Sequence, residues 1–206
     1  MEIKLKEEFN LLMSKGIVPF RIPKITAVQD SKGILKKKIQ GLPKSHNEIT
    51  LDTCYQYQTG ESMCVGTGKR SNLVVVDFDL VESYNSFIEK NPEYKACKTV
   101  KTHKGYHLYF KYWEGVPNRA DSFRSYPKVD TRTDGGFVFA PPTSYNLLNG
   151  EIAEYVDQGG EIMDFPEVLK ADLVDADPKK PLLKPVEPFL LVIFAVLEPQ
   201  DRQLLG

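Results

Sequence analysis

Cysteine is scarce in this chain of 206 residues, and no two cysteines are closely spaced. The three present are Cys54, Cys64 and Cys97. Dispersed cysteines in odd number argue against a disulfide framework, and the lack of any Cys-x-x-Cys unit argues against a zinc site that they would share with His46 and His103. We therefore expect reduced thiols and an intracellular setting: the cytoplasm, or the host cell for a viral or plasmid protein.

Long apolar runs are also missing. The longest, residues 189–197, falls well short of the roughly 20 apolar residues that a membrane span needs. The first eight residues contain acids and no apolar core, unlike a signal peptide. These features predict a protein with no membrane partner.

Neither charge is in excess. Lys and Arg number 27 and Asp and Glu 28, a formal net charge of -1. This balance neither demands nor excludes a nucleic-acid partner, so a polyanion site must come from local clustering. One cluster lies at residues 24–44, where six lysines and two glycines indicate a basic loop or hairpin, either simply solvated or in contact with a template or primer strand.

Helix and strand patterns predict one α/β domain, residues 1–170, followed by a Pro-rich linker and apolar tail, residues 171–206, that lead toward a possible further domain. One helix is expected before Gly16 and another over residues 81–90. Runs rich in β-branched and aromatic residues predict most of the remaining elements to be strands. The strand candidates are residues 17–22, 63–66, 73–79, 99–102, 106–112, 128–133, 137–140 and 152–156.

Two carboxylates end the most apolar strand candidate. Residues 73–76 are Leu-Val-Val-Val, and Asp77 and Asp79 follow with one residue between them. Alternate residues of a strand point to the same face, so the two carboxylates should lie side by side. Like charges this close repel unless a cation separates them, and Mg²⁺ or Mn²⁺ prefers oxygen ligands. Because glycosyltransferases, phosphatases and many surface turns also carry Asp-x-Asp, the pair alone leaves the chemistry open.

A histidine with neighbouring lysines lies in a later strand candidate. His107 follows a Lys104-Gly105 turn and shares a strand face with Tyr109. Its imidazole could donate a hydrogen bond to a phosphate, with Lys101 or Lys104 adding positive charge. A purely structural histidine is the alternative.

A third carboxylate lies close to an arginine. Asp130 and Arg132 alternate along one strand candidate and should share a face, and a Gly-Gly turn and a returning strand follow. Because arginine can bind phosphate through two parallel hydrogen bonds, the pair suits a site where metal ions and a triphosphate meet. An exposed ion pair in a hairpin is the alternative.

In this order, the three elements resemble the motifs of the archaeo-eukaryotic primase superfamily. The similarity is specifically to the bifunctional DNA primase/polymerase (prim-pol) N-terminal domains of plasmid, phage and large-virus replication proteins. In that family an apolar strand ends in Asp-x-Asp or Asp-x-Glu, a second motif ends in histidine, and a third is an apolar residue followed by aspartate. The matching residues here are 74–79, 105–110 and 129–130, and the resemblance covers about residues 17–156.

The resemblance implies an α/β (α+β) fold: a mixed sheet with an RRM-like catalytic core beside an N-terminal α/β subdomain. It implies a template-directed nucleotidyltransferase with two divalent ions, Mg²⁺ or Mn²⁺. The residues implied in catalysis and metal binding are Asp77, Asp79 and Asp130. Those implied in nucleotide binding are His107 and Arg132, with Lys104 and Lys101 as further candidates.

The resemblance also implies partners: a single-stranded DNA template and primer, nucleoside triphosphates, and a possible helicase domain or subunit. One departure is Gly105, which stands where many members have serine two residues before the histidine. Any phosphate contact made by that hydroxyl elsewhere would here come from the backbone or from Thr102.

Two other functions remain open on the sequence. A glycosyltransferase also uses Asp-x-Asp with Mn²⁺, to hold a nucleotide-sugar. A non-catalytic RRM-like module would bind single strands through aromatic residues on an open sheet face, for which Tyr106, Tyr109 and Phe110 are candidates.

Overall fold

The computed structural model describes residues 2–33 and 35–174. Most of the predicted linker and tail, residues 175–206, lies outside the described residues. No helix among the described residues is long and apolar enough to cross a membrane.

Short antiparallel strands predominate, with helices packed against them, which confirms the α+β class. The helices are α1 (Glu2–Ser14), α2 (Val81–Lys90) and α3 (Glu167–Asp172). Single 3-10 turns occur at His46–Glu48, Cys54–Tyr57, Lys69–Ser71 and Pro92–Ala96. The strands are β1 (Pro19–Ile22), β2 (Lys24–Gln29), β3 (Leu35–Gln40), β4 (Ser62–Gly66), β5 (Leu73–Phe78), β6 (Thr99–Lys101), β7 (Tyr106–Lys111), β8 (Val129–Arg132), β9 (Phe137–Phe139), β10 (Ser144–Asn146), β11 (Ile152–Glu154) and β12 (Val156–Asp157).

A five-stranded sheet in the order β12-β6-β7-β5-β8 organises the molecule. Every pair of named strands is antiparallel, in this sheet, in the three-stranded sheet β1-β4-β9, and in the hairpins β2-β3 and β10-β11. Within the described residues, parallel pairing is limited to isolated bridges such as Cys97 with Glu161. The expected mixed sheet is therefore mixed only at these bridges.

Strand β5 is buried on both faces, as its unbroken apolar run predicts. Val76 and Phe78 belong to a core that includes Phe87 of α2. Leu73 and Val75 belong to a second core that includes the three-stranded sheet. Alternation along one strand thus joins the two cores and holds the residues that follow it in place.

The basic segment forms the antiparallel hairpin β2-β3. Its inner side carries Ile25, which is buried, and Ala27, which is half-buried. Of the loop and the hairpin that the sequence allowed, the structure has the hairpin, because Ile25 and Ala27, two residues apart on β2, pack against the core.

The strand expected at residues 152–156 is divided in two. Tyr155 interrupts it, and its N–H donates to the carbonyl oxygen of Thr143 at 2.9 Å. Strand β11 pairs with β10, whereas β12 pairs with β6. The break lies where the chain passes from one sheet to another. The alternation of apolar and polar residues in the sequence does not indicate such a change of sheet.

The last described residues belong to the packed domain. The N–H of Val174 donates to the carbonyl oxygen of Ser122 at 2.8 Å, and Leu173 bridges to Phe123. Positions 171–174, expected to begin the linker, therefore contact residues 122–124, a segment that is itself hydrogen-bonded to β8.

Replacing Phe87 by alanine should lower the free energy of unfolding by about 3–5 kcal/mol, because a large buried side chain is lost and a cavity remains. Phe87 is fully buried against Phe78, Tyr94 and Tyr126 at centroid distances of 5.7, 5.5 and 5.7 Å. Urea denaturation measures the change. The control Tyr55→Ala, at a side chain in a residue 56% exposed, should change stability little; equal losses in both variants would contradict the packing described.

Candidate active site

Three of the predicted site residues lie in one row across three neighbouring strands. Asp77 of β5 pairs in register with Asp130 of β8 on one side and with His107 of β7 on the other. Residues directly opposite each other in antiparallel strands point to the same face, with Cβ atoms about 4.5–5.5 Å apart. The strand order therefore brings together residues that are distant in the sequence.

Asp79 follows the end of β5 on the same side as Asp77. Its N–H donates to the carbonyl oxygen of Lys128 at 3.0 Å, which extends the β5-β8 pairing by one residue. Both aspartates line one cavity of about 530 Å³. Asp130 is not among the lining residues and lies beside Asp77 in the row.

One side of this cavity is polar and comes from the five-stranded sheet and its turns; we call it the polar wall. Its lining residues are Asp77, Asp79, Thr102, His103, Lys104, His107 and Arg132. The other side, the apolar wall, comes from β9, β10, the β11-β12 junction and the hairpin. Its lining residues include Ala27, Ile39, Phe137, Val138, Phe139, Tyr145, Leu147 and Tyr155.

The Asp77 carboxyl keeps its charge in a largely buried position. Burial alone would raise its pKa, but the attraction and hydrogen bond of His107, with the charges of Lys37 and Arg132, outweigh burial and hold the pKa of Asp77 below its ordinary value. Oδ1 of Asp77 lies 3.3 Å from Nε2 of His107. The other ring nitrogen, Nδ1, is buried without a hydrogen-bond partner among the described residues, so the polar contact of the His107 side chain in this part of the chain is with Asp77.

The Asp130 carboxyl shows the opposite shift. Burial raises its pKa, and repulsion from Asp77 and Asp79 adds to the rise. Two partners counteract this only in part: the N–H of Asp121 at 3.0 Å, and Nη2 of Arg132 at 2.7 Å. The surroundings of the two carboxylates thus shift their pKa values in opposite directions, down for Asp77 and up for Asp130.

The predicted phosphate-binding residues are not all in one place. Arg132 lines the cavity with its side chain 35% exposed, and Lys104 lies on the turn at the polar wall. Lys101 does not join them: it pairs with Tyr106, which pairs with Phe78, so the register places Lys101 on the opposite face of the sheet. Sequence proximity to His107 is misleading here because adjacent strand residues alternate faces.

Gly105 leaves no space for the serine that the family resemblance would lead one to expect at this position. A Cβ at this position would lie only 2.0 Å from the carbonyl oxygen of Phe78. The Thr102 hydroxyl accepts hydrogen bonds from the N–H groups of Gly105 and Lys104, at 3.1 and 3.3 Å, and so shapes the turn. Glycine is therefore required at position 105, because the backbone there passes too close to the backbone of Phe78 for any side chain.

Sequence reasoning missed a lysine and a tyrosine that meet in the cavity. Nζ of Lys37, on the inner side of the hairpin, donates to the Tyr155 hydroxyl at 3.0 Å and lies 5.6 Å from the ring centroid of Phe139. Burial raises the pKa of the Tyr155 hydroxyl well above its ordinary range, so that hydroxyl stays neutral. Only the alternation of the hairpin, in which Ala27 pairs with Lys37, could have singled out this lysine among its neighbours.

The carboxylates fit a divalent cation in chemistry and backbone placement. Three aspartates supply the hard oxygen donors that Mg²⁺ and Mn²⁺ favour. As the side chains stand, however, Asp77 contacts His107 and Asp130 contacts Arg132, and residues 2–33 and 35–174 contain no group of three or more His, Cys, Asp or Glu side chains arranged around a common metal position. An ion bound between Asp77 and Asp130 would compete with these two contacts.

The aromatic residues considered for a non-catalytic binding module are not available on an open face. Phe110 and Tyr109 are buried, at 0% and 5% exposure, and Tyr106 stacks on Tyr84 at a centroid distance of 4.0 Å. Base stacking on these side chains would need the sheet to be uncovered.

A comparison with protein families agrees with the motif order. The model of the family described as "Bifunctional DNA primase/polymerase, N-terminal" matches residues 23–168, which include the row, the hairpin and both cavity walls. No curated protein sequence matches the chain.

Asn substitutions at Asp130 and Asp77 should change stability in opposite directions. The pKa of Asp130 is raised in the folded protein, so its ionised form lowers the stability above that pKa, and this loss of stability disappears as pH falls through that pKa. The Asp130→Asn variant should therefore be more stable than wild type at neutral pH, and this gain in stability should shrink on acidification. The pKa of Asp77 is lowered, so its stabilising effect is present above the unfolded pKa and is lost as pH falls through the folded value.

Asp77→Asn should accordingly cost roughly 1–3 kcal/mol near neutral pH, the usual loss for a buried charged hydrogen-bond partner, and less in acid. Urea denaturation from neutral to acidic pH measures both variants. Parallel shifts of the same sign at every pH would contradict the electrostatics described.

Proposed function

We propose that this chain, which belongs to the bifunctional DNA primase/polymerase N-terminal family, joins nucleoside triphosphates on a single-stranded DNA template in the cavity between the polar and apolar walls. Membership carries the general activity, that of a primase/polymerase acting on DNA and nucleotides. The single observation that supports this location is the in-register row of Asp130, Asp77 and His107 beside Arg132. Arranged in this way, carboxylates and cations meet at one wall of a cavity large enough for a nucleotide.

Asp77, Asp79 and Asp130 would hold two divalent ions, Mg²⁺ or Mn²⁺. Bound there, such ions would supply the two-metal chemistry of in-line phosphoryl transfer, activating the primer 3′-hydroxyl and neutralising charge on the triphosphate. The sheet contributes rigidity, because β5 is packed on both faces and the carboxylates follow directly from it. The pairing of Asp77 with Asp130 keeps two of the three carboxylates in neighbouring positions.

The cations of the cavity are suited to the triphosphate. Arg132 is the best placed, because part of its guanidinium remains exposed while one nitrogen holds Asp130. Lys104 and Lys37 line the cavity from the turn and from the hairpin. His107 would donate to phosphate once Asp77 turns to a metal ion, since its Nε2 is then released.

The apolar wall is suited to the base and sugar. Phe137, Phe139 and Tyr145 present rings to the cavity, and the base of a nucleotide is a flat apolar surface that packs well against such side chains. With phosphates at one wall and the base at the other, a nucleotide would lie across the cavity beneath the hairpin.

The variant with both Asp77→Ala and Asp79→Ala should lose nucleotide addition by several orders of magnitude and remain folded. The assay uses a single-stranded template and labelled NTPs or dNTPs, with and without primer, in Mg²⁺ or Mn²⁺; product lengths distinguish priming from extension. EDTA should abolish the wild-type activity. Near-normal extension by the double variant would overturn the proposal.

The same assay addresses the rival functions. A glycosyltransferase would bind a nucleotide-sugar and need no template, and a non-catalytic module would bind single strands equally well in EDTA and add no nucleotide. Either pattern would exclude the proposed reaction.

Lys37→Met should raise the KM for nucleotide by roughly 10- to 100-fold, the equivalent of a lost charge-assisted hydrogen bond. Methionine keeps an apolar stem against Phe139 and Tyr155 but removes the charge. Lys101→Met is the matched control, since Lys101 lies on the opposite face of the sheet and its loss should leave KM unchanged. An unchanged KM in Lys37→Met, or equal effects at both lysines, would remove Lys37 from the nucleotide site.

A further inference from the structure

The outward side of the hairpin β2-β3 carries a separate group of lysines. Register and alternation place one set of residues on this side, which we call the outer hairpin face. Its residues are Lys24, Thr26, Val28, Lys36, Lys38 and Gln40. The opposite side carries Ile25, Ala27, Lys37 and Ile39; the last three line the cavity, and the side chain of Lys36 reaches it from the outer hairpin face.

Two lysines of the outer hairpin face have no anionic partner within the described residues. Lys36 forms an ion pair with Asp30 at 2.8 Å. Lys24 and Lys38 are exposed and make no side-chain hydrogen bond or ion pair in the described part of the chain. They are diagonal neighbours across the two strands, because Lys24 pairs with Gln40 and Lys38 with Thr26. Diagonal neighbours lie about 7–8 Å apart, so their ammonium groups form a small unneutralised positive surface.

This positive charge is local. The hairpin and its flanks, residues 24–44, contain six lysines and one acid, whereas the whole chain has a net charge of -1. Because the rest of the chain is slightly acidic, this stretch of lysines should attract a polyanion to the hairpin and not to the whole protein surface.

The position of the outer hairpin face relative to the cavity suggests which polyanion. The hairpin is a single two-stranded layer, and its inner side contributes Ala27, Lys37 and Ile39 to the cavity. The outer hairpin face is the other side of this layer, close to the proposed nucleotide position. A flexible strand entering the cavity with a base presented to the nucleotide would pass over the hairpin edge. The phosphodiester backbone of that strand carries one negative charge per nucleotide, and lysine side chains neutralise such charges without sequence preference.

We propose that the outer hairpin face, through Lys24 and Lys38, is the docking surface for the phosphodiester backbone of the single-stranded template. The inference rests on the proposed nucleotidyltransferase function for the identity of the strand. The contact itself is electrostatic, independent of sequence, and formed without nucleotide or metal.

The experiment measures binding of a fluorescein-labelled single-stranded oligonucleotide by anisotropy, in EDTA and without nucleotide, over a range of salt concentrations. The test variant carries Lys24→Gln and Lys38→Gln. Each phosphate contact on a single strand adds about 0.7 to the slope of log K against log salt. Loss of two contacts should lower that slope by about 1.4 and weaken binding roughly tenfold or more near 0.1 M salt.

The matched control removes two lysines from the opposite side of the five-stranded sheet. It carries Lys90→Gln and Lys95→Gln, in α2 and in the turn Pro92–Ala96 beside it. This control should bind as wild type does, and thermal unfolding shows that both double variants are folded. In primer extension, the test variant should raise the KM for template and leave the KM for nucleotide unchanged.

The inference would be overturned by wild-type affinity and slope in the test variant, by equal weakening in the control, or by no measurable binding of single strands by the wild type. Equal competition by an acidic peptide of the same charge would assign the surface to a protein partner instead and would also overturn it. Absence of nucleotide addition by a wild type that binds DNA through these lysines would count against the proposed function alone.

Discussion

The charge of Asp77 is the constraint on which the rest of the site depends. Its carboxylate lies on an inner strand of the five-stranded sheet, where few water molecules can solvate it, and burial by itself would favour the protonated form. Hydrogen bonding to His107 and the charges of Lys37 and Arg132 reverse that preference. These three partners come from three different elements, so the ionised form of Asp77 requires the hairpin, β7 and β8 to be in place.

The same network accounts for the difference between Asp77 and Asp130. Burial, with added repulsion from Asp77 and Asp79, raises the pKa of Asp130, and Arg132 and the N–H of Asp121 offset this only in part, so the ionisation of Asp130 is penalised where that of Asp77 is favoured. A cation placed between the two aspartates would relieve the penalty on Asp130 and could replace His107 and Arg132 as partners. Both basic groups would then be free for phosphate oxygens. In the structure the two aspartates contact His107 and Arg132 instead, the basic groups that we propose for phosphate binding.

Much of this arrangement could be predicted from local sequence. The burial of β5, the extent of α2 and the common face of Asp77 and Asp79 follow from periodicity and alternation, which depend on neighbouring residues alone. The membership in the prim-pol family and the α+β class were predicted from the order of three short motifs and are confirmed. The roles of Asp77, Asp79, Asp130, His107 and Arg132 remain predictions.

What could not be predicted depends on tertiary pairing. That Asp130 and His107 flank Asp77 follows from the strand order, which no local pattern encodes. Lys101 was grouped with His107 by sequence proximity, yet strand alternation turns it away, whereas Lys37 reaches the cavity from a segment whose lysines look alike in sequence. The apolar wall was missed for the same reason. Its aromatic rings come from short strands, and only the tertiary structure places these strands opposite the five-stranded sheet.

The pairing of β4 has a consequence for synthesis of the chain. One edge of β4 is covered by β1, which precedes it, but the other is covered only by β9, which follows the third motif. During synthesis, that edge of β4 therefore stays unpaired until all three motifs have left the ribosome. Unpaired strand edges promote association between chains. A nascent or truncated product would be at risk of aggregation over this interval, and the cavity, which β9 helps to line, cannot form before the interval ends.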